Sequence, residues 1–294
     1  IAPGTYGTAY ADKACSLLKF AVDWNDGNTG GLLDTTAKID NGDTFRWTGP
    51  PLARAYDILR DHCEALDPTV GVTFRDYALR LWNYYKPTSL GGTKQFLMLT
   101  SAYQAGTNIG VGQVNSVVQT AIAAYDPIAF TTPQSWLSTI MTSVMTPLVM
   151  TCLQNTTAAA FNENCYGGSN TEGMSEYGPE TDQLRMELLD AWRTGTTDVD
   201  YWTSLAGIYP EYAADWLILG GVSPAGPQGP NVKLYQPMVY RDVQAPGTAN
   251  GYGWHSHYQK YAADRMRHHL ARIGGTTRAQ YLQYFIKTIM GDVY

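Results

Sequence analysis

The chain has 294 residues, 44% of them apolar and only 16% charged, with a formal net charge of −6. That composition excludes a disordered polymer and supplies a full hydrophobic core. An acidic balance offers no basic surface to a phosphate backbone, so nucleic acid is not an expected partner. The charge is uneven, however: Arg241–Tyr294 carries +4 and the remainder −10, which makes the C-terminal region the candidate anion site.

The chain opens Ile1-Ala2-Pro3 with neither an initiator methionine nor an apolar leader, and we read it as a processed, secreted form. Helical spacing then begins at Ala9 and runs to Trp24, with Ala14, Leu17, Leu18, Ala21 and Val22 on the inner face. A polar, Gly-rich loop from Asp23 to Gly49 follows, carrying Trp24 and Trp47. Pro50-Pro51 is read as the first turn of a helix ending at Leu66, with Leu52, Ala55, Tyr56, Leu59 and Cys63 inward. Thr73–Tyr85 repeats the pattern through Tyr77, Leu81 and Tyr84.

Further helices are expected at Thr93–Gln104, Gly112–Tyr125, Pro133–Gln154, Pro179–Arg193, Tyr209–Leu219, His257–Ile273 and Thr277–Met290, with a shorter one over Asp198–Leu205. Met141, Met145 and Met150 belong to the core. The most apolar segment, Ser135–Leu153, contains Pro147 and several hydroxyl residues, so no membrane span is expected. Val222–Gly253 is rich in Pro, Gly and aromatic residues and reads as a long ordered loop, with a short hairpin at Val232–Val239.

Four cysteines allow three pairings, of which we favour Cys15–Cys63 and Cys152–Cys165. Asn155-Thr156-Thr157 is an N-glycosylation sequon inside the second loop. The elements together predict an all-α fold, a single helical domain over 1–294. An α/α barrel or toroid with long ordered loops is the first architecture, and an irregular bundle the second.

Two segments carry chemistry. In Trp254–Arg272, the helical stripe His257, Tyr261, Arg265, His268 and Arg272 groups imidazole, phenol and guanidinium, while Tyr258, Ala262, Met266, His269 and Ile273 form the core-facing stripe. Cations beside a phenol favour phenolate, and guanidinium grips a carboxylate in a fork. His255 and His257 would present two imidazoles to a metal, but no third ligand is evident, so no metal or cofactor is expected. The second segment, Ser169–Asp182, is a polar loop entering a helix. Glu180 and Asp182 there complement the helix dipole, and Glu176 and Tyr177 are the functional candidates.

A polar Asn-containing loop entering a helix, followed some 70 residues later by an aromatic-His-x-x-Tyr stretch, resembles the alginate-lyase-type α/α-toroid polysaccharide lyases. The resemblance spans about Asn170 to Arg272. It implies Asn170 and Arg241 on a uronate carboxylate, His255 or His257 as the assisting histidine, and Tyr258 or Tyr261 as base and acid. Thr171 stands where that family has a histidine after the asparagine, a departure from its pattern.

The expectation is therefore a secreted, monomeric enzyme that cleaves an acidic polysaccharide by β-elimination. Arg265 assists in binding, Glu176 and Tyr177 line the substrate, and Trp24, Trp47 and Trp254 form sugar-stacking walls. One alternative is a glycoside hydrolase using Asp23, Asp26 and Glu176. The other is a structural shell subunit without catalysis.

Overall fold

A computed structural model describes residues 5–25, 42–91, 107–154, 177–196, 200–204, 264, 266–271 and 276–284. The fold is all-α: among the described residues the backbone is helical nearly throughout, and the only ladder-type pairing is an isolated antiparallel bridge, Asp126 to Phe130. Two compact units emerge, one of Ile1–Met98 with Gly112–Thr142, the other of Leu99–Val111 with Ser143–Tyr294.

The first unit is built on α1 (Thr5–Asn25), α2 (Gly42–Leu66) and α3 (Thr69–Tyr85), with α1 packed on both of the others. Leu18 and Val22 lie on the inner face of α1, as the spacing predicts, and Cys15 joins them, while Ala14 and Ala21 are half-buried. Leu17 does not join them; it is exposed, because the inner face closes around Cys15 and its bridge to Cys63. The Cys15–Cys63 pairing is as expected, and Asp12 Oδ1 lies 2.8 Å from His62 Nε2 beside it.

Helix α2 begins at Gly42, eight residues before the expected start, so Pro50 and Pro51 sit inside it. Each proline deletes one backbone bond of the ladder. The helix continues because Gly49 and Pro50 are buried, and Gly49 lies so close to Ser116 that an added Cβ would stand 2.6 Å from the serine's Cβ. Gly71 on α3 similarly clears the Glu64 carboxylate of α2. Tyr56 stacks on Phe74 with centroids 3.8 Å apart, and Trp82 stacks on Trp136 at 5.5 Å. In α3 it is Tyr85 rather than Tyr84 that is buried, alongside Tyr77 and Leu81.

Helix α4 (Asn108–Ala124) is sealed on nearly every side, although it carries Gln113, Asn115, Ser116, Gln119 and Thr120. Gln119 Nε2 donates to Asn115 Oδ1 at 2.7 Å, and Ser116 Oγ donates to the Gly112 carbonyl at 2.9 Å. Internal bonding of this kind lets amides and hydroxyls be buried without water.

Residues 132–154 form one helical run: α5 (Thr132–Ile140), a π-helical stretch (Met141–Met150) and α6 (Thr151–Gln154). Pro147 does not end it. Val144, Met145, Val149 and Met150 are buried, a repeat of five that matches wide π turns better than α turns. Contrary to the sequence expectation, the run is long and apolar enough to cross a membrane, at 23 residues and mean hydropathy 1.4; 44% of that apolar window is buried within the protein.

The second unit holds α6, α7 (Tyr177–Gly195), α8 (Tyr201–Ser204), a helical stretch at residues 266–271 and α9 (Thr276–Tyr284). Cys152 is disulfide-bonded, and its expected partner Cys165 lies outside the described residues. So do the helices expected at Thr93–Gln104 and Tyr209–Leu219 and the hairpin at Val232–Val239.

The Cys15–Cys63 bridge spans 48 residues of sequence. Replacing both cysteines with serine should lower the unfolding free energy by about 2–4 kcal/mol in a urea titration, chiefly by freeing the unfolded chain.

Candidate functional site

The side chain at the heart of the second unit is Arg185, whose exposure is 0% although it is a guanidinium. It sits on α7, where helical spacing places Asp182 one turn earlier, and its Nη1 is 3.3 Å from Asp182 Oδ1. Its Nη2 approaches Cys152 Sγ at 3.9 Å. Glu180, in the first turn of α7, accepts a hydrogen bond from Asn108 Nδ2 at 3.1 Å. Glu187 accepts one from Gln183 Nε2 at 3.2 Å. Burial strips water from these carboxylates, and a cation or amide donor replaces it. Glu180 and Asp182 thus both have partners inside the protein.

Farther along α7, Asp190 faces the C-terminal helical stretch. His269 Nε2 lies 3.0 Å from Asp190 Oδ1 and 3.1 Å from Oδ2. A carboxylate accepts only, so Nε2 carries the proton and donates. The imidazole also stacks on Trp202 of α8, with centroids 3.8 Å apart and planes 15° from parallel. Trp192 of α7 and Tyr201 of α8 pack on each other, 5.7 Å between centroids. Burial holds the Tyr201 phenol above its ordinary value, with a hydrogen bond to Thr146 opposing the shift.

In the C-terminal stretch, Met266 and His269 are buried, as the core-facing stripe predicts, and His268 of the polar stripe is exposed. Arg267 spends its charge on Asp264, Nη2 to Oδ1 at 2.8 Å. Asn170, Glu176, Arg241, Trp254, His255, His257, Tyr258, Tyr261 and Arg265 lie outside the described residues. Trp24, Trp47 and Tyr177 are placed by their backbones, in the last turn of α1, the first part of α2 and the first residue of α7. Asp23 pairs with Lys19 at 3.1 Å, and Asp26 falls outside the described residues.

Sequence reading missed the clustering of Asp190, Trp202 and His269. The available signal was a histidine in an otherwise apolar stripe, which calls for a buried partner.

A second polar cluster lies in the first unit. The Tyr56 phenol donates to Glu64, whose Oε1 also has Arg60 Nε at 3.6 Å and Arg75 Nη2 at 3.5 Å. Arg60 continues to the α4–α5 turn, with Nη2 2.5 Å from Asp126 Oδ2 and Nη1 donating to the Tyr125 carbonyl at 3.0 Å. Asp126 Oδ1 accepts the Ile128 and Ala129 amides at 2.8 and 2.7 Å, which together hold its carboxyl below the usual range. Desolvation, then the bond to Glu64, pushes the Tyr56 phenol well above its ordinary value. The cluster ties α2 to α3 and to the α4–α5 turn. Among the described residues no group of three or more His, Cys, Asp or Glu is placed to hold a metal ion.

No family model, curated protein or solved structure matches this chain.

Two outcomes follow from these clusters. A double-mutant cycle on His269→Ala and Asp190→Ala should give a coupling of about 0.5–3 kcal/mol in denaturant titrations; additive losses would mean that the contact does not bind the C-terminal stretch to α7. The raised Tyr56 pKa contributes stability fully present below about pH 10, the ordinary phenol value, and lost as pH rises through the folded value. Tyr56→Phe should therefore flatten the alkaline fall in unfolding free energy, measured by denaturant titration at stepped pH.

Proposed function

We propose that the protein is a secreted polysaccharide lyase that cleaves a uronate-containing chain by β-elimination. One observation carries the reading: α7, which follows Ser169–Glu176 in sequence, and the C-terminal basic segment meet in one unit through Asp190 and His269. These are the two segments whose residues the chemistry needs. The disulfides support an oxidising compartment, where the Asn155 sequon would be glycosylated.

In this reading Arg241 and Asn170 neutralise the uronate carboxylate, so that charge developing at its α-carbon is stabilised. Tyr258 or Tyr261 takes the proton from that carbon. The electron pair forms a carbon–carbon double bond as the glycosidic C–O bond breaks, and the tyrosine returns the proton to the departing oxygen. His255 or His257 assists, and Arg265, one turn beyond Tyr261 by helical spacing, favours the phenolate. Glu176 and Tyr177 bind substrate at the mouth of α7, and Trp254 stacks on a sugar ring.

Incubation with a panel of polyuronates and neutral glycans tests this. The expected product is an unsaturated uronate end, read by its ultraviolet absorbance. Tyr258→Phe and Tyr261→Phe should separate, one losing about 10²–10⁴-fold in turnover and the other nearly silent. New reducing ends without that absorbance would establish hydrolysis instead, and no cleavage of any glycan would remove the enzyme reading.

A further inference from the structure

Helix α1 is apolar on two faces. Its inner face is spent on α2, α3 and the disulfide, and a helix on a protein surface needs only one such face. On the outer face, Tyr10 is 76% exposed, Leu17 56% and Phe20 69%. With exposed Lys13 these residues fall at intervals of three, four and three, the spacing of a coiled-coil seam. Leaving aromatic and leucine side chains in water along a seam of that period costs stability, and a facing helix removes the cost.

We propose that this face pairs with the same face of a second copy, α1 crossing α1 antiparallel about a two-fold axis. The inference is independent of the lyase reading and replaces the expected monomer. Charge complementarity selects the occupant. When Leu17 of one copy is set against Phe20 of the other, heptad geometry brings Lys13 of each next to Asp23 of its mate. Asp23 flanks the seam, and its carboxylate is partly exposed beside Lys19. The centre of the contact is thus apolar and both ends carry opposite charges, the arrangement that a self-complementary patch requires. A single pair of helices covers less than the ~1,600 Å² of a standard stable interface, so the association is weak and concentration-dependent.

Sedimentation velocity across the micromolar range tests the pairing. The wild-type protein should move from one chain to two as concentration rises. Leu17→Glu and Phe20→Glu should each hold it at one chain with unchanged helical circular dichroism, because both side chains are exposed in the folded chain. Lys13→Glu and Asp23→Lys should each weaken the dimer by roughly tenfold or more, and the double exchange should restore it.

A wild-type protein that stays single at every concentration overturns the proposal, and so does a double exchange that fails to rescue. Open-ended particles instead of dimers would assign the face to a shell contact of a different symmetry. A single chain that sediments with anionic phospholipid vesicles, and loses that binding in Phe20→Glu, would assign it to lipid. Either result rejects the two-fold pair.

Discussion

A carboxylate below the surface must find a donor, and α7 shows how far that requirement organises the second unit. Glu180, Asp182 and Glu187 are all buried on it, and each is matched: by Asn108, by Arg185 and by Gln183. Three of the helix's polar groups reach segments distant in sequence, Glu180 among them through Asn108. Arg185 touches the sulfur of Cys152, and Asp190 holds His269. Apolar contacts alone allow helices to slide, whereas a matched charge fixes one register, because any slip leaves an ion buried without a counterpart. The assembly of this unit is therefore directional as well as hydrophobic.

The first unit solves the same problem with covalent and aromatic contacts. The disulfide joins α1 to α2, Tyr56 lies flat on Phe74, and Trp82 and Trp136 stack. Its charges converge on Glu64, where two guanidiniums and a phenol meet one carboxylate. The same Arg60 that serves Glu64 also pins the α4–α5 turn through Asp126, so a loop tip inherits the rigidity of the helices beneath it. The lyase reading and the self-pairing of α1 draw on different units and are separable for that reason.

The fold class was legible because helical periodicity is written in local spacing: Leu18 and Val22 of α1, the Tyr77–Leu81 face of α3 and the Met266–His269 stripe all follow from it. Three features were not. Pro50-Pro51 imitates a helix start, and only the close approach of Gly49 to Ser116 explains why the helix runs through it. Leu17 fits the inner face by spacing as well as the outer, and tertiary packing decides between them. Hydrogen-bonded partners such as Asp190 and His269 stand 79 positions apart, a separation that no local pattern encodes. Of the candidate site, the sequence named two segments, Ser169–Asp182 and Trp254–Arg272, whose described ends are α7 and the C-terminal stretch. It did not reveal the contact that joins them.

The π-helical stretch has an effect on everything that follows it. Each wide turn uses more residues than an α turn, so over ten residues the chain accumulates roughly half a turn less rotation than an uninterrupted α-helix would. Side chains beyond Met150 are therefore aimed to nearly the opposite side from where ordinary helical counting would send them. Cys152 and Leu153 are buried under that altered phase. The stretch acts as a phase shifter, and loss of a single residue within it would swing the Cys152 sulfur away from Arg185 while leaving every other letter of the neighbouring sequence untouched.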